Sequence, residues 1–269
     1  MKLRGWALVT GGSAGIGLEV ARGLLRRGYS LILVSRSPQK LRNAKYELSR
    51  ELQKSDERQI TVHTADLAEP TAADELYAWV QSRKFEVEVL VNSAGMYLCE
   101  ETLGIPRESV EAILQLNIRA LTTLTLLFAR DMAQRGGGRI VNISSYAVYM
   151  RYGYLSLYGA TKAYVRNFSV GLSREVRKQG VTITTVAPSG VDTGLLGLSE
   201  RKARLARWTG FMMSPARCGR IIVRAAMRGR RYIVPGWHNY LMIPFLGLVR
   251  PLATKVMVDN TATEHAAKD

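Results

Sequence analysis

Apolar residues along this chain come in two spacings that take turns. Short apolar or β-branched runs fall at Trp6–Thr10, Ser30–Ser35, Ile60–Thr64, Val87–Val91, Arg139–Ile143, Val181–Val186 and Tyr232–Val234. Their length and composition are those of strands covered on both faces. Between them, apolar residues recur at three- and four-residue intervals near Gly15–Arg27, Pro38–Lys54, Thr71–Arg83, Arg107–Gln134, Leu157–Lys178 and Pro215–Arg228, the period of an amphipathic helix. Strand and helix thus alternate to about residue 235. That order predicts an α/β fold in one domain, a doubly wound parallel sheet of about seven strands with helices on both faces. Ligands of such sheets sit beyond the carboxyl ends of the strands, so the residues just after each apolar run are the candidates for chemistry.

Composition adds boundaries to this picture. With 269 residues, 47% hydrophobic and 22% charged, the chain can bury a large core. No repeat of fixed period and no Gly- or Ser-rich linker divides it. The expected organisation is one domain over 1–258, with a lid at 194–214, an apolar and basic C-terminal extension at 236–258 and a flexible tail at 259–269. An apolar run that starts at Trp6 leaves no space for a charged and apolar leader, so a cytoplasmic protein without a secretory signal is expected. Cys99 and Cys218, the two cysteines, are read as buried thiols; they suggest neither a disulfide framework nor a metal site.

The net charge is +16, and between Ser199 and Arg250 eleven Lys or Arg face Glu200 alone. Such a surface attracts polyanions or anionic lipid, or only improves solubility. With no nucleic-acid module beside it, no specific nucleic-acid partner is expected. The stretch Trp237–Val258 is apolar, but Pro244, Arg250, Pro251 and Lys255 interrupt it. It is therefore expected to lie at an interface or pack rather than to span a bilayer.

Directly after the first run comes TGGSAGIG, Thr10 to Gly17, opening a helix. Gly11, Gly15 and Gly17 allow a sharp turn and a close approach to a pyrophosphate at the helix N-terminus. Dinucleotide sites that prefer NAD carry an acidic residue about 20 positions further on. Here Ser35 and Arg36 end the second run, a hydroxyl and a guanidinium suited to a 2′-phosphate, which predicts NADP(H).

With these residues in place the sequence resembles the short-chain dehydrogenase/reductase family, whose fold is of the Rossmann type. TGGSAGIG matches the family's TGxxxGxG turn, and NSAG at Asn92–Gly95 its NNAG segment, with Ser93 replacing one Asn. The resemblance implies cofactor contacts at Thr10, Gly11, Ser13, Gly15, Ile16, Gly17, Asp66, Leu67, Asn92, Ala94, Gly95, Pro188, Val191 and Thr193, besides Tyr158 and Lys162. It also implies catalytic roles for Asn117, Ser145, Tyr158 and Lys162. Ser144 competes with Ser145, which the resemblance favours because it stands thirteen residues before Tyr158, the separation common in the family. Tyr158 has Lys162 four residues on, whereas Tyr154 is expected before the helix. Tyr158 would donate a proton to a ketone oxygen, and Lys162 would make that phenol more acidic and hold the nicotinamide ribose. Ser145 would stabilise the developing charge, and Asn117 would hold a water linking Lys162 to solvent. One departure stands out: Ser189 follows Pro188 where the family usually has glycine.

The lid residues Leu195, Leu196, Leu198, Trp208, Phe211, Met212 and Met213, with Met96, Tyr97, Met150 and Tyr154, suit either a hydrophobic ketone or packing of the lid. The extension resembles that of family members acting on 3-ketosphinganine or 3-ketoacyl substrates. For it, contact with an anionic membrane surface, a subunit interface and a cover over the cleft all stay open. The expected partners are a hydrophobic small-molecule ketone or alcohol and further copies of the chain, as homodimer or homotetramer. A steroid or small-ketone dehydrogenase and an NADP-binding regulator without turnover are the rival readings, although the tyrosine and lysine that the second would lack are both present.

Overall fold

Alternate residues of a strand face opposite sides of its sheet, and in this protein both sides are apolar. In a computed structural model, which describes residues 5–53, 56–150, 152–191 and 212–246, the apolar runs pair as predicted. They are β1 (Trp6–Thr10), β2 (Ser30–Ser35), β3 (Ile60–Thr64), β4 (Val87–Asn92), β5 (Gly138–Ile143) and β6 (Val181–Val186). The short β7 (Gly190–Val191), β8 (Met212–Met213) and β9 (Tyr232–Ile233) follow. Seven strands form one sheet in the order β3-β2-β1-β4-β5-β6-β9, every pair parallel. The order reverses between β1 and β4, and the crevice opened there is where such sheets bind ligands.

The helices are α1 (Gly15–Leu25), α2 (Pro38–Ser49), α3 (Ala72–Ser82), α4 (Arg107–Leu114), α5 (Leu121–Gln134), α6 (Ser156–Glu175) and α7 (Pro215–Met227). Leu24, Leu41, Leu48, Ile222 and Val223 cover one face of the sheet, over Val9, Leu31, Leu33, Val91 and Val141. Leu76, Val80, Leu124, Phe128 and Met132 cover the other, over Leu8, Ile32, Leu90, Ile140 and Ile183. The Arg107–Gln134 run is long and apolar enough to cross a bilayer, yet its Ile113, Leu121, Leu124, Phe128 and Met132 are buried in the core.

That run is not one uniform helix. Between α4 and α5 the turn widens into a π segment, Gln115–Ala120, with Asn117 inside it. Periodicity cannot show this, because a π turn keeps the helical pattern on either side. The pair β7 and β8, joined in parallel, is also new; two residues are too few to carry an alternation signal. Thr193, the lid before residue 212 and the extension and tail from residue 247 lie outside the described residues.

Beneath the carboxyl ends of β4 and β5, a buried polar knot interrupts the apolar core. Asn92 Nδ2 donates to Thr125 Oγ1 (3.0 Å) and to Asn142 Oδ1 (2.9 Å), and Asn142 Nδ2 donates to Ser169 Oγ at 2.9 Å. The knot pins α5 and α6 to the centre of the sheet. Asn142→Ala strands a buried donor on Asn92 and removes the donor to Ser169, so it is expected to lower unfolding free energy by about 1–3 kcal/mol. Urea denaturation checks this; a change under about 0.5 kcal/mol, the size of an indifferent surface substitution, would contradict it.

Candidate active site

The turn after β1 is built by close approach. Gly11 has φ +65°, and a Cβ there would lie 2.8 Å from the Ala94 nitrogen, so the backbones of the β1 and β4 turns touch. A Cβ on Gly17 would collide with the Gly11 carbonyl. Thr10 sews the same two turns together: its Oγ1 accepts from the nitrogens of Ser93 (3.1 Å) and Ala94 (3.2 Å). No side chain caps the start of α1, where Ala14 is the N-cap. Its N–H groups and positive dipole end face the cleft, a cradle that fits the pyrophosphate of a dinucleotide.

Tyr158 and Lys162 lie one turn apart on α6, both buried, and Tyr154 precedes the helix at φ +65°. Lys162 Nζ donates to the carbonyl of Ile143 at 3.1 Å, while Ser144 Oγ donates back to the Lys162 carbonyl at 2.7 Å. Those reciprocal bonds lock α6 to the end of β5, and they give the two serines different surroundings. Ser144 serves the backbone, whereas Ser145 hydrogen-bonds the Tyr158 phenol and accepts from the Ala147 nitrogen at 3.1 Å. A Cβ on Gly95 would sit 3.3 Å from both Asn117 Oδ1 and Lys162 Nζ, which shows how tightly these groups converge.

Burial governs the electrostatics. It raises the Tyr158 phenol above its ordinary value, against the opposing hydrogen bond from Ser145. It lowers Lys162 to about 8. The sequence suggested that the lysine would make the phenol more acidic; on balance burial leaves the phenol above its ordinary value. Lys162 Nζ lies 5.8 Å from the Tyr158 ring centroid and directs a proton to Ile143 rather than to the phenol, so desolvation outweighs the attraction. Asn117 is likewise occupied. Its Oδ1 accepts from the Met96 nitrogen at 2.9 Å, and its Nδ2 donates to the Met96 carbonyl (2.9 Å) and Thr161 Oγ1 (3.2 Å). Its side chain holds the loop after β4 in place.

A cleft of about 940 Å³ brings together Gly11, Gly15, Ile16, Gly17, Ala94, Gly95, Ser145, Tyr158, Lys162, Pro188 and Val191 from among the predicted residues. Met96, Tyr97 and Met150 line it as well, and Tyr154 does not. The Tyr97 ring meets the Tyr158 ring edge-on, at 4.9 Å and 76°. Ser13, Ser35, Arg36, Asp66 and Leu67 lie outside this lining, around the carboxyl ends of β1 to β3 on the same edge of the sheet. Arg36 and Asp66 are exposed, Leu67 is buried, and Asp66 Oδ1 accepts from the Ala68 nitrogen at 3.0 Å. Asn92 faces the polar knot instead of the cleft.

Sequence reasoning did not find the wall formed by Asn239, Met242 and Leu246. Asn239 Nδ2 donates to Ser189 Oγ at 2.8 Å, so the departure at Ser189 has a partner in the C-terminal segment. The Tyr152 hydroxyl donates to the Leu246 carbonyl at 3.1 Å. Over residues 236–246, then, the segment covers the cleft. Nothing local in the sequence pairs Asn239 with Ser189, which stand 50 residues apart.

The buried lysine has a measurable cost. Its folded value near 8 lies below the ordinary 10.5, so between these values the unfolded chain binds a proton that the folded chain has released. Unfolding free energy therefore rises with pH across that window. From about pH 8 to pH 10, below the range where Tyr158 titrates, wild type is expected to gain on the order of 2 kcal/mol relative to Lys162→Met. Parallel urea-stability curves for the two proteins would contradict this.

Comparison with known proteins agrees with this geometry. The family model described as short chain dehydrogenase matches residues 5–203. Very-long-chain 3-oxoacyl-CoA reductase of Rattus norvegicus is 29% identical over 249 residues, 88% of this chain and 77% of that protein. The uncharacterized oxidoreductase DltE of Bacillus subtilis is 32% identical over 205 residues, 74% of this chain and 76% of its own. A short-chain dehydrogenase from Sphingobium yanoikuyae, solved in complex with NADPH, superimposes with a TM-score of 0.77 at 26% identity, covering 99% of this chain and 96% of that one. A match that begins before β1 and continues beyond β7, on a sheet shared with solved members, makes the assignment plain: the chain belongs to the short chain dehydrogenase family, oxidoreductases that bind nicotinamide cofactors.

Proposed function

We propose that this protein is an NADPH-dependent reductase that interconverts a ketone and a secondary alcohol on an apolar, acyl-chain substrate of the 3-oxoacyl or 3-ketosphinganine type. The observation that carries the reading is a phenol, a hydroxyl and a buried ammonium converging in one cleft whose remaining wall is apolar, through Met96, Met150, Leu155, Met242 and Leu246. Two similar proteins point the same way by name: the rat very-long-chain 3-oxoacyl-CoA reductase, and a bulky-bulky ketone specific alcohol dehydrogenase from Comamonas testosteroni, 26% identical with a TM-score of 0.76 over 92% of this chain and 94% of that one.

The backbone of Gly11, Ser13, Gly15, Ile16 and Gly17 would hold the pyrophosphate, and Ser35 with Arg36 the 2′-phosphate. Asp66 and Leu67 would meet the adenine, Ala94 and Gly95 the adjoining ribose, Pro188 and Val191 the nicotinamide carboxamide, and Lys162 its ribose. When bound, the reduced nicotinamide supplies a hydride to the carbonyl carbon. Negative charge then gathers on the carbonyl oxygen, where Ser145 donates a hydrogen bond and Tyr158 gives up its phenolic proton. The raised value of Tyr158 keeps it protonated at neutral pH, ready to act as the acid. Lys162, near 8, holds its proton there and releases it at little cost to restore the phenol.

A panel of 3-oxoacyl thioesters, 3-ketosphinganine, ketosteroids and small ketones, each with NADPH and with NADH, tests the reading. Acyl-chain ketones with NADPH are expected to give the highest kcat/KM; preference for a steroid or small ketone would select the rival dehydrogenase reading. Tyr158→Phe is expected to lower kcat by a factor of about 100 or more while NADPH still binds. Undiminished turnover in that variant would overturn the mechanism. Arg36→Ala is expected to weaken NADPH about tenfold or more and leave NADH little affected.

A further inference from the structure

Asn239 joins three parts of the cleft that are far apart in the chain. It is 7% exposed, and its Nδ2 is shared between Ser189 Oγ (2.8 Å) and the Pro235 carbonyl (2.6 Å). Its own carbonyl accepts from the Tyr146 hydroxyl at 2.8 Å, and Tyr146 directly follows Ser145. The ring is closed by the Tyr146 nitrogen, which donates to the Pro188 carbonyl at 2.8 Å. Met242, three residues beyond Asn239, and Leu246, held by Tyr152, form the apolar wall. Yet Tyr240, Leu241, Met242 and Phe245 are all substantially exposed, so apolar burial alone holds this segment poorly. The hydrogen bonds therefore fix where the wall stands.

We propose that Asn239 is a positioning residue which, through Ser189, sets the distance between the reacting end of the cleft and the Met242–Leu246 wall, and so sets how strongly the protein discriminates among substrate tails. This deepens the acyl-chain reading above and rests on it. The Ser189 hydroxyl gives the turn after β6 an anchor that a glycine lacks, and Asn239 is the side chain that uses it. A wall held at fixed distance gains about fourfold in affinity for each methylene it buries. A wall released from Ser189 would close imperfectly on the tail and lose part of that gain.

The test is binding of saturated acyl thioesters, which lack the 3-oxo group and cannot be reduced, to the NADPH-loaded protein by titration calorimetry. The quantity read is the ratio of long-tail to short-tail affinity. Ser189→Ala is expected to lower this ratio about three- to tenfold, the effect of one lost hydrogen bond, and Asn239→Ala, which also loses the bond to the Pro235 carbonyl, at least as much. The double variant is expected to lose no more than Asn239→Ala alone, because that variant already removes the Ser189 bond. Ser189→Thr, which keeps the acceptor, is expected to retain the wild-type ratio. Ser189→Ala removes a single oxygen and serves alone if Asn239→Ala fails to fold. A ratio unchanged in the single variants, or losses that multiply in the double variant, would overturn the positioning role and leave the acyl-chain reading intact. Wild-type protein that binds none of the thioesters would instead remove the acyl-chain reading, and this proposal with it.

Discussion

The structure around the cleft depends on keeping one ammonium group out of water. Lys162 is buried on α6, and its nitrogen reaches the Ile143 carbonyl at the end of β5. A cation in that position is costly unless the surrounding dipoles are fixed before it arrives. Ser144 binds the lysine's own carbonyl, and the polar knot of Asn92, Thr125, Asn142 and Ser169 ties β4, α5 and α6 together just below. The π segment places Asn117 against Met96 and Thr161, closing the remaining side. A site that would do chemistry through small displacements is in this way given rigid walls.

Rigidity on that side contrasts with how the opposite wall is made. The segment from Val234 to Leu246 is held by hydroxyls, those of Tyr146, Tyr152 and Ser189 with the amide of Asn239, while several of its large apolar groups remain exposed. Hydrogen bonds specify geometry at short range and contribute modest net stability. The lysine side of the cleft is consequently anchored in the core, and the opposite wall is positioned by hydrogen bonds more than by apolar packing.

Much of this was legible in the sequence, for identifiable reasons. A parallel sheet covered on both faces needs unbroken apolar runs, and β1 to β6 are such runs, so their existence and order could be read directly. The glycines after β1 and the spacing of Ser145, Tyr158 and Lys162 are constrained by backbone contact and by one helical turn, which leave marks in sequence. Three features left none. The π segment hides within helical periodicity, and β7 with β8 is too short to alternate. The Asn239–Ser189 bond joins positions 50 residues apart, a pairing that only the folded chain reveals. The electrostatics were also out of reach: a lysine four residues from a tyrosine suggests a more acidic phenol, but the sign depends on burial and on where the ammonium points.

The central claim is that burial, rather than the neighbouring cation, sets the state of the Tyr158 phenol in the free protein. Carbon-13 labelling of the tyrosine ring, with the Tyr158 resonance identified by its loss in Tyr158→Phe, allows that phenol to be titrated directly by NMR. The account predicts a titration midpoint above the ordinary phenol value of about 10, falling when oxidised NADP brings positive charge beside it. A midpoint below the ordinary value in the free protein, or one indifferent to the cofactor, would contradict it.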